Sequence, residues 1–340
     1  MSTLLAPRPT KTPASGARSR LARLVPSSRY TSVIVTFVLL VLMFGVGSGR
    51  YRGFFSGQVV MNLFIDNAFL IVLAVGMTFV ILTGGIDLSV GAVVALSTMI
   101  AASLLRDGWN PAAVIVVVLL ATTGLGLLVG LVIHYFDIQP FIATLAAMFL
   151  ARGLCYVISL DSISITEPFF VGLAQARIPL APRLSITPTV IIAVLVVIVA
   201  FIVLHYTRTG RTVYAIGNGG QSAHLMGLPV SRTKILVYAI SGLCSGIAGI
   251  LFTLYTLSGY SLTAVGMELD AIAAVVIGGT LLTGGSGFVL GSLLGVLVLG
   301  IIQTMISFEG TLSSWWTKIV IGSLLLLFII LQRVLTARER

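Results

Sequence analysis

The chain has 340 residues, of which 58% are hydrophobic and only 9% charged, and its mean hydropathy is +1.13. A soluble domain carries about 25% charged residues, so a soluble globular protein is excluded and nearly all of this chain must sit in lipid. The net charge of +10 is carried at segment ends and in loops, which fits a positive-inside bias better than a nucleic-acid partner.

Residues 1–30 are rich in Pro, Ser and Arg and have no apolar core. They read as a disordered basic cytoplasmic tail, not as a cleavable signal peptide. Ten apolar runs follow, at about 31–48, 60–83, 88–105, 111–134, 139–158, 186–206, 233–257, 268–283, 287–306 and 315–334. Each is near the roughly 20 residues a helix needs to cross a bilayer. The period-2 alternation of a membrane barrel is missing. The expected fold is therefore an all-α polytopic membrane protein with about ten transmembrane helices, forming a single transmembrane domain over 31–335. The runs at 88–105 and 268–283 are short enough to be broken or partly re-entrant.

An even number of crossings returns the carboxyl terminus to the side of the amino terminus. Thirteen of the twenty basic residues fall on that side: six before the first run, Arg208, Arg211, Arg232 and Lys234 around the loop 207–232, and three at the end. Both termini are accordingly placed in the cytoplasm, with 336–340 as a cytoplasmic tail. The longest outer loop, 159–185, contains Asp161, Glu167 and three prolines and is expected to pack as a cap over a pore mouth. Cys155 and Cys244 lie in apolar runs and read as buried small hydrophobes, not as a disulfide framework.

Charged groups inside such runs are costly unless capped, paired or wetted. Asn62 and Asp66 share one helix face at i, i+4, with Asn67 beside them; this stripe serves either packing or a polar pathway. The run Ile81–Gly91 places two glycines, Asp87 and Ser89 between long apolar segments. Asp87 is either the cap of the following helix or a pathway group. Asp270 precedes a small-residue run that also fits close packing. Leu82-Thr83-Gly84-Gly85 recurs as Leu282-Thr283-Gly284-Gly285, 200 positions on. That is either an internal repeat of the kind found in transporters or a chance recurrence in a chain with 36 glycines. Gly126/Gly130, Gly242/Gly246 and Gly287/Gly291/Gly295 are G-x-x-x-G steps for internal packing or a permease dimer contact. Phe64, Phe69 and Phe79 read as lipid-facing before pore-lining. Trp315 and Trp316 fit an interfacial belt.

The loop 207–232 is polar at its edges, yet Tyr214-Ala215-Ile216-Gly217-Asn218 and Leu225-Met226 carry apolar groups. An apolar patch in a cytoplasmic loop marks a protein contact, and one or two helical turns are expected over 221–226. There is no G-x-x-x-x-G-K-[ST] phosphate loop, no H-E-x-x-H and no Ser/His/Asp set. No catalytic residue, metal site or bound cofactor is therefore expected in this chain.

Taken together, Gly84–Gly91, Tyr214–Asn218 and Leu269-Asp270-Ala271-Ile272 through Gly278-Gly279-Thr280 resemble the permease subunits of bacterial ATP-binding-cassette (ABC) importers of the ribose type. The likeness covers about residues 30–335. Asp66–Leu70, Gly76–Leu82 and Gly310–Lys318 resemble most closely one permease of a galactofuranose importer. The resemblance implies a bacterial inner-membrane transport subunit. ATP would be used by a separate ATPase subunit, which the loop 207–232 contacts through Tyr214, Ala215, Ile216, Gly217, Asn218, Leu225 and Met226. It also implies a second, paralogous permease and a periplasmic sugar-binding protein. Asn62, Asp66, Asn67, Asp87, Ser89 and Asp270 are the candidates for the substrate pathway. The alternative is a proton-coupled carrier of a small polar solute, in which Asp66, Asp87 or Asp270 titrates.

Overall fold

A computed structural model describes residues 28–310 and 315–338. The tail expected over 1–30 lies outside the described residues up to residue 27, as do residues 339–340 of the expected tail 336–340. Every one of the ten apolar runs forms a helix. In chain order these are α1 (Ser28–Arg50), α2 (Gly57–Leu82), α3 (Val90–Arg106), α4 (Pro111–Tyr135), α5 (Pro140–Ile158), α7 (Pro188–Tyr206), α9 (Val230–Thr256), α10 (Met267–Ile277), α11 (Val289–Glu309) and α12 (Trp315–Arg338). Two more helices, α6 (Pro168–Gln175) and α8 (Arg208–Leu225), lie in the long connections. Among the described residues, seven helices are long and apolar enough to cross a membrane. The short runs are indeed short helices: α3 has 17 residues and α10 only 11. At a 1.5 Å rise, α10 covers about 16 Å of a ~30 Å hydrocarbon core and cannot cross it alone. The helix α12 continues through Arg338, so residues 336–338 of the expected tail are helical.

Ser56 caps α2, accepting from the Val59 amide at 3.2 Å. From Ala68 onward α2 is enclosed nearly all round, as expected for a helix that is apolar on every face. It lies at the centre, packed against α7, α9, α10 and α11. The helix α9 is the second central element, and its close approach to α4 depends on the G-x-x-x-G pairs. A Cβ at Gly242 would meet the Gly126 Cα at 3.0 Å, and one at Gly130 would meet the Ile235 Cα at 3.0 Å. Gly291 and Gly295 likewise seat α11 against Gly278 and Ala274 of α10. These steps serve packing inside the chain. Gly242→Leu is therefore expected to destabilise the purified protein by about 1–3 kcal/mol or more. Gly124→Leu, whose Cβ meets nothing within 4 Å, should leave its thermal unfolding unchanged.

The expected outer cap is ordered. Strand β1 (Ile163–Ser164) pairs antiparallel with β4 (Ser258–Gly259), and β2 (Ile178–Ala181) with β3 (Leu184–Ile186). Gln58 at the start of α2 clamps the β2–β3 hairpin. Its Nε2 donates to the Ser185 carbonyl at 3.2 Å, and its Oε1 accepts from the Ser185 amide at 3.0 Å. Arg152 on α5 donates to the carbonyls of Ser261 and Thr263 at 2.6 and 2.8 Å, fixing the loop that leads into α10.

Candidate functional site

The six candidate pathway residues separate into two groups. Asn62, Asp66 and Asn67 of α2 and Asp270 of α10 line one chamber of about 630 Å³ between α2, α9, α10 and α11. Asn62 and Asp66 are exposed in the single chain, as are Gln303 and Ser307 on α11. Polar groups in spanning helices face protein or water, not lipid, so this open side is wet or covered by another subunit. Asn67 is held by its own helix, Nδ2 donating to the Leu63 carbonyl at 2.9 Å. Gly300 lets α11 approach it closely. Asp270 is paired with Lys318 of α12 at 2.6 Å. Phe69, which the sequence placed towards lipid, lines the chamber instead, edge-on to Phe252 at 4.9 Å, whereas Phe79 is enclosed in the core. Sequence reasoning missed Tyr255, Gln303 and Thr304. Gln303 and Thr304 carried a usable signal as adjacent polar residues in an apolar run; Tyr255 carried none.

Asp87 and Ser89 are not in that chamber. After Leu82 the chain turns at Gly84 (φ +80°) and runs back into the bundle without helical structure before α3 begins at Val90. Asp87 is 4% exposed. Its Oδ1 accepts from the Ser89 amide at 2.9 Å and the Ser89 hydroxyl at 2.6 Å, and its Oδ2 accepts from Ser241 of α9 at 2.7 Å. Ser241 packs on Gly76 of α2, six residues or about 9 Å inside the end of that helix. The carboxylate thus closes the turn that starts α3 and ties it to α9. It is a side-chain turn ahead of the helix and not an N-cap, since Ser89 holds the N-cap position and no side chain caps the helix there, and it uses both carboxylate oxygens.

The two Leu-Thr-Gly-Gly turns meet. The Gly285 amide donates to the Leu82 carbonyl at 2.9 Å, and a Cβ on Gly284 would meet the Gly84 amide nitrogen at 2.8 Å. The helix α8 lies across both turns. It is an 18-residue helix, interrupted at Gly219, where the sequence suggested one or two turns. Tyr214 donates to the Gly287 carbonyl at 2.8 Å, and Asn218 Nδ2 donates to the Gly285 carbonyl at 3.2 Å. Gly217 sits so close to Leu82 and Gly285 that a side chain there would collide with backbone. Ile216 is buried and Ala215 half-buried. Of the seven coupling candidates, Tyr214 to Asn218 therefore form the seat on the bundle. Leu225 and Met226, 87% and 69% exposed, point away from it.

Among the described residues no cluster of His, Cys, Asp or Glu is arranged to hold a metal ion. The family described as branched-chain amino acid transport system / permease component matches residues 59–329. The inner membrane ABC transporter permease protein YjfF of Escherichia coli is 47% identical over 311 residues, 91% of this chain and 93% of that one. The fructose import permease protein FruG of Bifidobacterium longum is 45% identical, covering 90% and 91% of the two chains. The ribose import permease protein RbsC of Haemophilus influenzae is 36% identical, covering 89% and 94%. No solved structure matches. A helical bundle with chambered acids, a surface helix seated on two glycine turns, and this breadth of similarity agree: the chain belongs to the family of ABC-transporter permease components and is a transport subunit, not an enzyme.

Proposed function

We propose that this chain is one of two permease subunits forming the channel of a bacterial inner-membrane ABC importer for a monosaccharide, galactofuranose being the sugar. A periplasmic binding protein delivers the sugar, and a separate ATPase subunit drives alternating access. Support for an importer of small sugars comes from relatives named for ribose and fructose import. Support for the narrower sugar is the resemblance of Asp66–Leu70, Gly76–Leu82 and Gly310–Lys318 to a galactofuranose permease. The observation that carries the mechanism is the seat of α8. Its buried side holds the turn that ends α2 and the turn that precedes α11, and its exposed Leu225 and Met226 await a cytoplasmic partner. Movement of α8 with the ATPase would then be passed directly to both turns. A second permease would close the open side of the chamber.

The test is reconstitution in proteoliposomes with the partner permease, ATPase and binding protein, using labelled galactose (which contains the furanose form), ribose and fructose. Uptake is expected to require ATP and the binding protein and to be greatest for galactose. This chain alone should hydrolyse no ATP. Uptake by this chain alone down a pH gradient would instead establish the proton-coupled alternative. Leu225→Asp with Met226→Asp should abolish uptake by detaching the ATPase, since desolvating a charge at an apolar contact is costly. Undiminished uptake in that double variant would refute the docking role.

A further inference from the structure

Asp66 stands where two cavities meet. On one side is the chamber of about 630 Å³. On the other, under the outer cap, is a vestibule of about 180 Å³ reached by Arg177, Thr187 and Thr189. Asp66, Phe69 and Tyr255 belong to the walls of both. Of the acids in these walls, Asp270 is neutralised by Lys318. The Asp66 carboxylate has no hydrogen-bond or ion-pair partner among the described residues. Arg177 does not supply one, since its Nη1 turns back on the carbonyls of Ala174 and Ala176, both at 3.3 Å.

An ionised carboxylate is an acceptor-only group with about four lone-pair sites, and hydroxyl donors bind it more strongly than a neutral acceptor. Beside it, Phe69 meets Phe252 edge-on at 4.9 Å and Tyr255 at 5.8 Å. This gives an apolar wall of the kind that packs against the C–H face of a sugar ring. An anionic solute in the same place would face like charge at close range, where Coulomb repulsion is strongest.

We infer that Asp66 and its aromatic wall form a selectivity filter for uncharged polyhydroxylated rings inside the permease, so that the membrane subunit re-examines what the soluble binding protein delivers. This rests on the sugar-import reading above. The free carboxylate accepts hydroxyl hydrogens from the ring as it passes from vestibule to chamber, and it turns away sugar acids and sugar phosphates.

The experiment compares the complete importer carrying wild-type chain or Asp66→Asn in proteoliposomes. Uptake of galactose, ribose and fructose is measured, together with binding-protein-stimulated ATP hydrolysis. Binding of the best sugar and of its uronic acid is measured on the permease–ATPase complex in nanodiscs. The variant is expected to lose about ten- to a hundredfold in uptake, the size of a lost hydrogen bond to a charged group. Its stimulated ATP hydrolysis should persist, and its discrimination against the uronate should collapse. Unchanged uptake and unchanged discrimination would overturn the filter. If wild type imports none of the sugars, the sugar-import reading falls, and the filter with it. If Asp66→Asn fails to assemble, Asp66→Ser is read in the same way. Failure of both to assemble would show a carboxylate needed for folding and would also overturn the inference.

Discussion

Gly217→Ala is expected to uncouple ATP hydrolysis from transport. The added methyl group would collide with the backbone of Leu82 and Gly285, so α8 must lift from its seat or the two Leu-Thr-Gly-Gly turns must part. Either movement strains the Asn218-to-Gly285 and Tyr214-to-Gly287 hydrogen bonds. Overpacking of this kind costs about 1–3 kcal/mol. That is enough to shift a two-state equilibrium by one to two orders of magnitude, since each 1.4 kcal/mol is about tenfold. In the reconstituted importer, sugar uptake should fall by about that factor while the ATPase continues to turn over. Gly220→Ala is the matched control, because it lies on the same helix and its Cβ meets nothing within 4 Å. If the two variants transport equally well, α8 does not work through these turns.

Substitution of Asp87 should act on folding before it acts on transport. Alanine there would leave the Ser89 amide and the Ser241 hydroxyl without their acceptor in a site that is 4% exposed. Hydrogen bonds to charged groups contribute about 1.5–3 kcal/mol each, so a loss of at least about 3 kcal/mol is expected. That is a large part of a typical 5–15 kcal/mol margin. Asparagine keeps the shape and one acceptor oxygen, and should cost less. The expected order of thermal stability and of folded protein in the membrane is wild type, then Asp87→Asn, then Asp87→Ala. An Asp87→Ala protein that assembles and unfolds like wild type but no longer transports would return this residue to the pathway.

Much of the architecture was legible because transfer into lipid is a local property of a segment. All ten apolar runs became helices, and the two that were short, 88–105 and 268–283, became the short helices α3 and α10. The recurrence of Leu-Thr-Gly-Gly gained a physical meaning when the two turns proved to touch at Gly285 and Leu82. The inner loop was harder to read. Its glycines suggested short turns, yet tertiary packing on the bundle sustains a helix from Arg208 to Leu225 with a break at Gly219. Its apolar residues, taken together as a partner surface, divide into a buried seat and an exposed end.

The sequence by itself determined that this protein is a helical membrane bundle without ATPase or metal motifs, and its motifs were sufficient to recognise the transporter class. Composition, run length and motif spacing depend only on residues near one another. Tertiary structure alone decided how each of three similar acids in or beside the apolar runs is held. Asp87 is enclosed because Ser241, 154 positions away, reaches it. Asp270 is neutralised by Lys318, 48 positions on. Asp66 has no partner among the described residues and lies in a chamber wall. The environment of a charge is set by the helices packed around it, and those partners come from distant parts of the chain.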